Sequence, residues 1–124
     1  MRVLILEDDV NRVERFKEKL VGHELFITQF PKVANRWLEE QEFDFIFLDH
    51  DLEEESQGTD NNFDVGTGLE VANFLGRKPY LSTNAQIIVH SLNSGGSTRM
   101  IQAMGGRNAI QYPFTVLIDN IIIR

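Results

Sequence analysis

Apolar positions along this chain follow two patterns in alternation. Short, nearly continuous apolar runs occupy residues 2–6, 43–48, 85–89 and 109–111, and a further strand-like segment spans 24–30. Runs of this length and β-branched content read as buried strands. Between them apolar residues recur at steps of three and four, the spacing of an amphipathic helix. Val10, Val13, Phe16 and Leu20 mark one helix over residues 10–21, and Gly22 stops it. Pro31 closes the second strand, and Val33, Ala34, Trp37 and Leu38 share a face of a helix over 33–40. Trp37 on such a face is read as a core anchor. Leu69, Val71, Ala72 and Leu75 define a third helix, residues 94–104 a fourth, and 115–123 a fifth that follows Pro113.

Strand and helix thus alternate five times, without an internal repeat or a linker. The expected fold is α/β: one domain over residues 1–124, a doubly wound five-stranded parallel sheet with helices on both faces and right-handed crossovers, a three-layer α/β/α arrangement. The segment 53–66 is acidic and rich in Gly, Asn and Asp, and it is long for a strand-to-helix connection. It reads as a functional lid or a solvated loop.

Composition narrows the function. Lys plus Arg number 12 against 19 Asp plus Glu, a formal charge of −7, which argues against an extended nucleic-acid or anionic-membrane surface. Cysteine is absent, which removes disulfides and thiolate chemistry. No run is long enough to cross a bilayer and no secretory signal pattern follows Met1, so a cytoplasmic location is expected.

The chemistry gathers where the strands end. Parallel strands share a direction, and open α/β sheets bind ligands at the carboxyl edge. To that edge the first strand brings Glu7, Asp8 and Asp9, the third Asp49, His50 and Asp51, the fourth His90, Ser91 and Asn93, and the fifth Tyr112. Clustered carboxylates repel one another unless a cation neutralises them, and hard oxygen donors suit Mg²⁺ or Mn²⁺. Asp8, Asp9 and Asp49 are the candidate metal ligands. Asp9 reads equally as the N-cap of the first helix. Gly95 and Gly96 at a helix start form a candidate phosphate cradle, with Arg99 one turn further in, although the same residues also describe a turn with an exposed arginine.

Several of these segments resemble, in chain order, the landmarks of response-regulator receiver domains: Leu4-Ile5-Leu6-Glu7-Asp8-Asp9, Phe47-Leu48-Asp49, Gly68-Leu69-Glu70, Ile87-Ile88-Val89-His90-Ser91 and Tyr112-Pro113-Phe114. The resemblance implies a flavodoxin-like sheet of order 2-1-3-4-5. It implies Asp49 as phosphoacceptor, Asp8 and Asp9 as Mg²⁺-binding acids and Ser91 as the hydroxyl at the phosphoryl group. Tyr112 stands where the family carries a lysine that pairs with the phosphorylated aspartate. The motifs Leu48-Asp49-His50-Asp51-Leu52 and His90-Ser91-Leu92-Asn93 resemble the divergent cyclic-phosphate processing branch.

That branch implies a metal-assisted phosphoesterase acting on a cyclic nucleotide or a cyclic-phosphate end. Asp49, His50, His90, Ser91 and Asn93 are the expected catalytic set, with the two imidazoles as base and acid on either side of the phosphate. Ser91, Gly95, Gly96 and Arg99 are the expected phosphate contacts, and a small phosphorylated ligand is the expected partner. A protein partner belongs to the alternative, an atypical single-domain receiver that binds Mg²⁺ and signals through Asp49 or by docking, without turnover. A sensor that binds a phosphorylated metabolite without reacting is the third reading.

Overall fold

The computed structural model describes residues 1–51, 67–91 and 94–120. Strands β1 (Arg2–Leu6), β2 (Glu24–Thr28), β3 (Phe45–Leu48), β4 (Gln86–Val89) and β5 (Ala109–Gln111) alternate with helices α1 (Val10–Lys19), α2 (Pro31–Glu40), α3 (Gly68–Arg77), α4 (Ser94–Ala103) and α5 (Phe114–Asn120). The sheet runs in the order β2-β1-β3-β4-β5, and every neighbouring pair is parallel. This is the doubly wound fold expected from the alternation, with the expected strand order.

Two apolar layers explain why short strands suffice. Side chains alternate across a sheet, so Leu4, Leu6, Ile46, Leu48, Ile87 and Val89 face one way, into a core closed by Ala34, Leu38, Val71, Leu75 and Met100 of α2, α3 and α4. Val3, Ile5, Phe47 and Ile88 face the other way, onto Phe16 of α1, Leu20 just beyond it, and Phe114 and Leu117 of α5. Trp37 packs edge-on against Phe26 at 5.4 Å beside the first layer, as a core anchor does.

Element ends differ from the sequence reading in small ways with local causes. The first helix stops at Lys19, and Leu20 caps it before Gly22 turns the chain at φ 93°. Strand β2 ends at Thr28, whose hydroxyl accepts from the Phe30 amide, and Pro31 opens α2 rather than merely closing β2. A proline is well placed there, because the first helical turn has no use for its missing N–H. The expected lid over 53–66 and residues 121–123 of the last helix lie outside the described residues. Arg107 ties the far end of the sheet to α3: its guanidinium donates to the carbonyls of Leu75, Lys78 and Ser82 at 2.9–3.3 Å.

Candidate functional site

The strand register builds the site. Leu6 pairs with Leu48, Leu48 with Val89, and Val89 with Gln111. The next residue of each strand therefore falls in one row: Glu7, Asp49, His90 and Tyr112. Backbone bonds extend the row one step past the sheet, from the Asp49 amide to Leu6 O, from the His90 amide to Leu48 O and from the Tyr112 amide to Val89 O, at 2.9–3.1 Å. Alternation then sends Glu7, Asp49 and His90 to the α1/α5 face.

There they form a buried group whose ligand-type atoms lie within 4.8 Å of one another. His90 is fully enclosed and donates from Nε2 to Glu7 Oε1 at 2.7 Å, with the rings of Phe16 and Phe114 at 5.4 and 6.2 Å. The other Glu7 oxygen accepts from the backbone amides of Asp8 and Asp9, both at 3.1 Å. Arg12, from the first turn of α1, sets Nη1 3.8 Å from Glu7 Oε1 and 3.9 Å from Asp49 Oδ2, and its guanidinium rests over the Phe114 ring at 5.1 Å.

The two carboxylates are tuned in opposite directions. Burial pushes Asp49 up to about 6, reinforced by the charges of Glu7 and Asp8 and opposed by His90 and Arg12. Burial would also raise Glu7, but the His90 hydrogen bond and charge, the Asp9 amide and Arg12 outweigh it and hold that carboxyl below its usual range. One carboxyl is thus held toward its ionised form, and its neighbour is pushed toward its protonated form.

The expected site residues divide between two faces. His50 lies toward α4, donates from Nδ1 to Asp51 Oδ1 at 2.7 Å and packs against Gly96, where an added Cβ would come within 2.5–2.7 Å of three ring atoms. Packing on His50 is thus sufficient reason for glycine at 96, apart from any phosphate. Ser91 is buried, and its carbonyl accepts from the Ser97 hydroxyl at 3.5 Å. Gly95 and Arg99 are exposed on α4, and Asn93 lies outside the described residues. Asp8 is half-buried and shares with Glu7 a hollow of about 310 Å³ lined also by Ile27, Thr28, Gln29 and Phe30. Asp9 is exposed and caps α1, accepting from the Arg12 amide at 3.0 Å, so the structure realises its capping role.

Among the described residues the two imidazoles have different neighbours: His50 packs against Gly96 of α4, and His90 is buried and bonded to Glu7. Sequence reading placed Glu7 on the rim but left it out of the ligand set, and it passed over Arg12. The strand register carried the signal for Glu7. Nothing in the α1 periodicity distinguishes Arg12 from its charged neighbours.

A parallel sheet of order 2-1-3-4-5 with buried acids at the ends of β1 and β3 defines a receiver-type domain. The chain belongs to the cyclic-phosphate processing receiver domain family, whose model matches residues 3–106. No curated protein sequence matches it. Among solved structures it is similar to the response regulator TrrA of Thermotoga maritima in complex with Mg²⁺ and beryllofluoride (23% identity, 90% of this chain and 84% of that one, TM-score 0.63). It is also similar to a response regulator in its Mn²⁺-bound form (18%, 95% and 89%, TM-score 0.68). A third is the receiver domain of a sensor histidine kinase from Pseudomonas aeruginosa with magnesium in its active-site cleft (21%, 90% and 83%, TM-score 0.65). At these identities the likeness establishes the fold. No helix among the described residues is long and apolar enough to cross a membrane.

Proposed function

We propose that this receiver domain processes a small cyclic-phosphate ligand at the rim of β1, β3 and β4 with the help of a divalent cation. The observation that carries the reading is the buried cluster of Glu7, Asp49 and His90. The two carboxylates are hard oxygen donors of the kind that suits Mg²⁺ or Mn²⁺, and the imidazole beside them is bonded to Glu7. Glu7 and Asp49 would hold the ion, with Asp8 beside them at the hollow. When bound, the cation supplies charge neutralisation at phosphoryl oxygens and acidifies a water.

The chain's own residues supply the rest. His90 is a positioning residue: enclosed and bonded to Glu7, it fixes the direction of that carboxylate. His50, oriented by Asp51, is the proton-transfer group, and Ser91 with Asn93 is assigned to the phosphoryl oxygens. The hollow lined by Ile27, Thr28, Gln29 and Phe30 offers room for the remainder of the ligand. Gly95 and Arg99 stay assigned to an anion on the α4 side.

The test is hydrolysis of a panel of 2′,3′- and 3′,5′-cyclic phosphates with Mg²⁺ or Mn²⁺, beside Asp49→Asn and His50→Ala. Turnover that falls at least about a hundredfold in both variants is the expected result. Absence of turnover across the panel, with a phosphoryl adduct on Asp49 from a small phosphodonor, would replace this reading with that of a signalling receiver.

A further inference from the structure

Glu7 and Asp49 face a cation that the chain itself provides. Arg12 Nη1 stands 3.8 Å from Glu7 Oε1 and 3.9 Å from Asp49 Oδ2, so one nitrogen addresses both carboxylates. These same carboxylates supply the oxygen donors of the buried cluster. The position of Arg12 is built rather than incidental. Its backbone amide is held by the Asp9 cap at the start of α1, and its guanidinium lies over the Phe114 ring at 5.1 Å. Its side chain is 25% exposed, against 0% for Glu7 and 5% for Asp49. Both ion pairs are longer than a hydrogen bond, so the contact is a coulombic balance and not a locked bidentate clamp.

We propose that Arg12 is the resident counter-ion of the Glu7–Asp49 pair, and that Arg12 and a divalent cation are alternative occupants of the charge position between them. The inference rests on the reading that these carboxylates hold a metal. A bound ion lies about 2.0–2.2 Å from carboxylate oxygens. A guanidinium within 4 Å of an oxygen of each of these carboxylates would then stand close to a doubly charged ion in a poorly solvated niche, where like charges repel strongly. Metal entry therefore requires Arg12 to give way. Arg12 sets the metal affinity of the site, lowering it below what the donor set alone would provide. In the metal-free pair it adds to the compensation that His90 already gives the two buried carboxylates.

The experiment measures Mn²⁺ binding to the full chain through the spin-resonance signal of free Mn²⁺, for the wild type, Arg12→Gln and Arg12→Lys. Removing the charge is expected to tighten Mn²⁺ binding by about tenfold or more, while Arg12→Lys stays near the wild type. The same series melted in chelator should show Arg12→Gln destabilised without metal and rescued by Mn²⁺. Equal or weaker Mn²⁺ binding by Arg12→Gln overturns the counter-ion role while leaving the metal reading intact. Absence of binding in all three chains overturns both. If Arg12→Gln is unfolded in chelator, refolding on Mn²⁺ addition supports the inference and failure to refold overturns it.

Discussion

Three acids in succession, Glu7, Asp8 and Asp9, receive three different environments within one turn of chain. Glu7 is buried, Asp8 half-buried at the hollow, and Asp9 exposed as the α1 cap. Charge alone does not separate them; the end of β1 does, because the residue after the last strand pair inherits the inward direction. Asp49 inherits the same direction at the end of β3, and its raised pKa makes a checkable stability statement. An unfolded aspartate titrates near 3.9, whereas the folded carboxyl is pushed up to about 6. Between these values the folded chain retains a proton that the unfolded chain has released. Stability therefore falls as pH rises through that window, and the loss of about 3 kcal/mol is complete only above the folded value. Asp49→Asn removes this dependence. In chelator, its stability relative to the wild type should grow by about 2–3 kcal/mol between pH 4 and pH 7.5, measured by urea denaturation. Glu7 contributes with the opposite sign. Its lowered pKa gives stability that is present above the unfolded value and lost as pH falls through the folded one.

At the scale of elements, close approach explains two glycines that a motif reading assigns to ligand binding or helix starts. A Cβ at Gly68 would collide with the carbonyl of Asp49, so α3 begins directly against the end of β3. A Cβ at Gly96 would enter the His50 ring, so α4 lies against the imidazole. Gly96→Ala must therefore move either the helix or the histidine. The expected cost is about 1–3 kcal/mol in thermal or chemical denaturation, together with reduced turnover on any cyclic phosphate the wild type opens. Unchanged stability would mean that α4 sits less tightly on His50 than these contacts require. The first three helices were readable from the spacing of their apolar positions, whereas the last, whose β-branched content alone would allow a strand, was readable only from its place in the alternation and from Pro113. Their ends were less so, because Thr28, Pro31 and Leu20 act through local hydrogen bonds and turn geometry that periodicity does not report.

At the scale of the whole molecule, the rim exists because four strands end in register. A cation held across β1 and β3 would bind the folded chain and not the unfolded one, so it must stabilise the fold by mass action. Mn²⁺ at about a hundred times its dissociation constant should add about 2.7 kcal/mol, roughly a 10 °C rise in Tm for a domain of this size. The rise should disappear in Glu7→Gln, and calorimetry or dye-monitored melting reads both. A Tm rise retained in Glu7→Gln would place the ion elsewhere among the acidic groups.

The sequence by itself determined the alternation of five strands and five helices, the parallel sheet, and the edge at which the acids and imidazoles gather. Those properties depend on local periodicity and on the shared direction of parallel strands. Tertiary structure alone decided which side chains face one another. His50 and His90 each follow a strand by one or two residues, yet one packs on Gly96 of α4 and the other is sealed under Glu7 between Phe16 and Phe114. A one-residue offset at a strand end reverses the face of the sheet. Arg12 reaches Glu7 and Asp49 because α1 crosses back over the face to which strand alternation turns those carboxylates, a meeting that spacing along the chain does not encode.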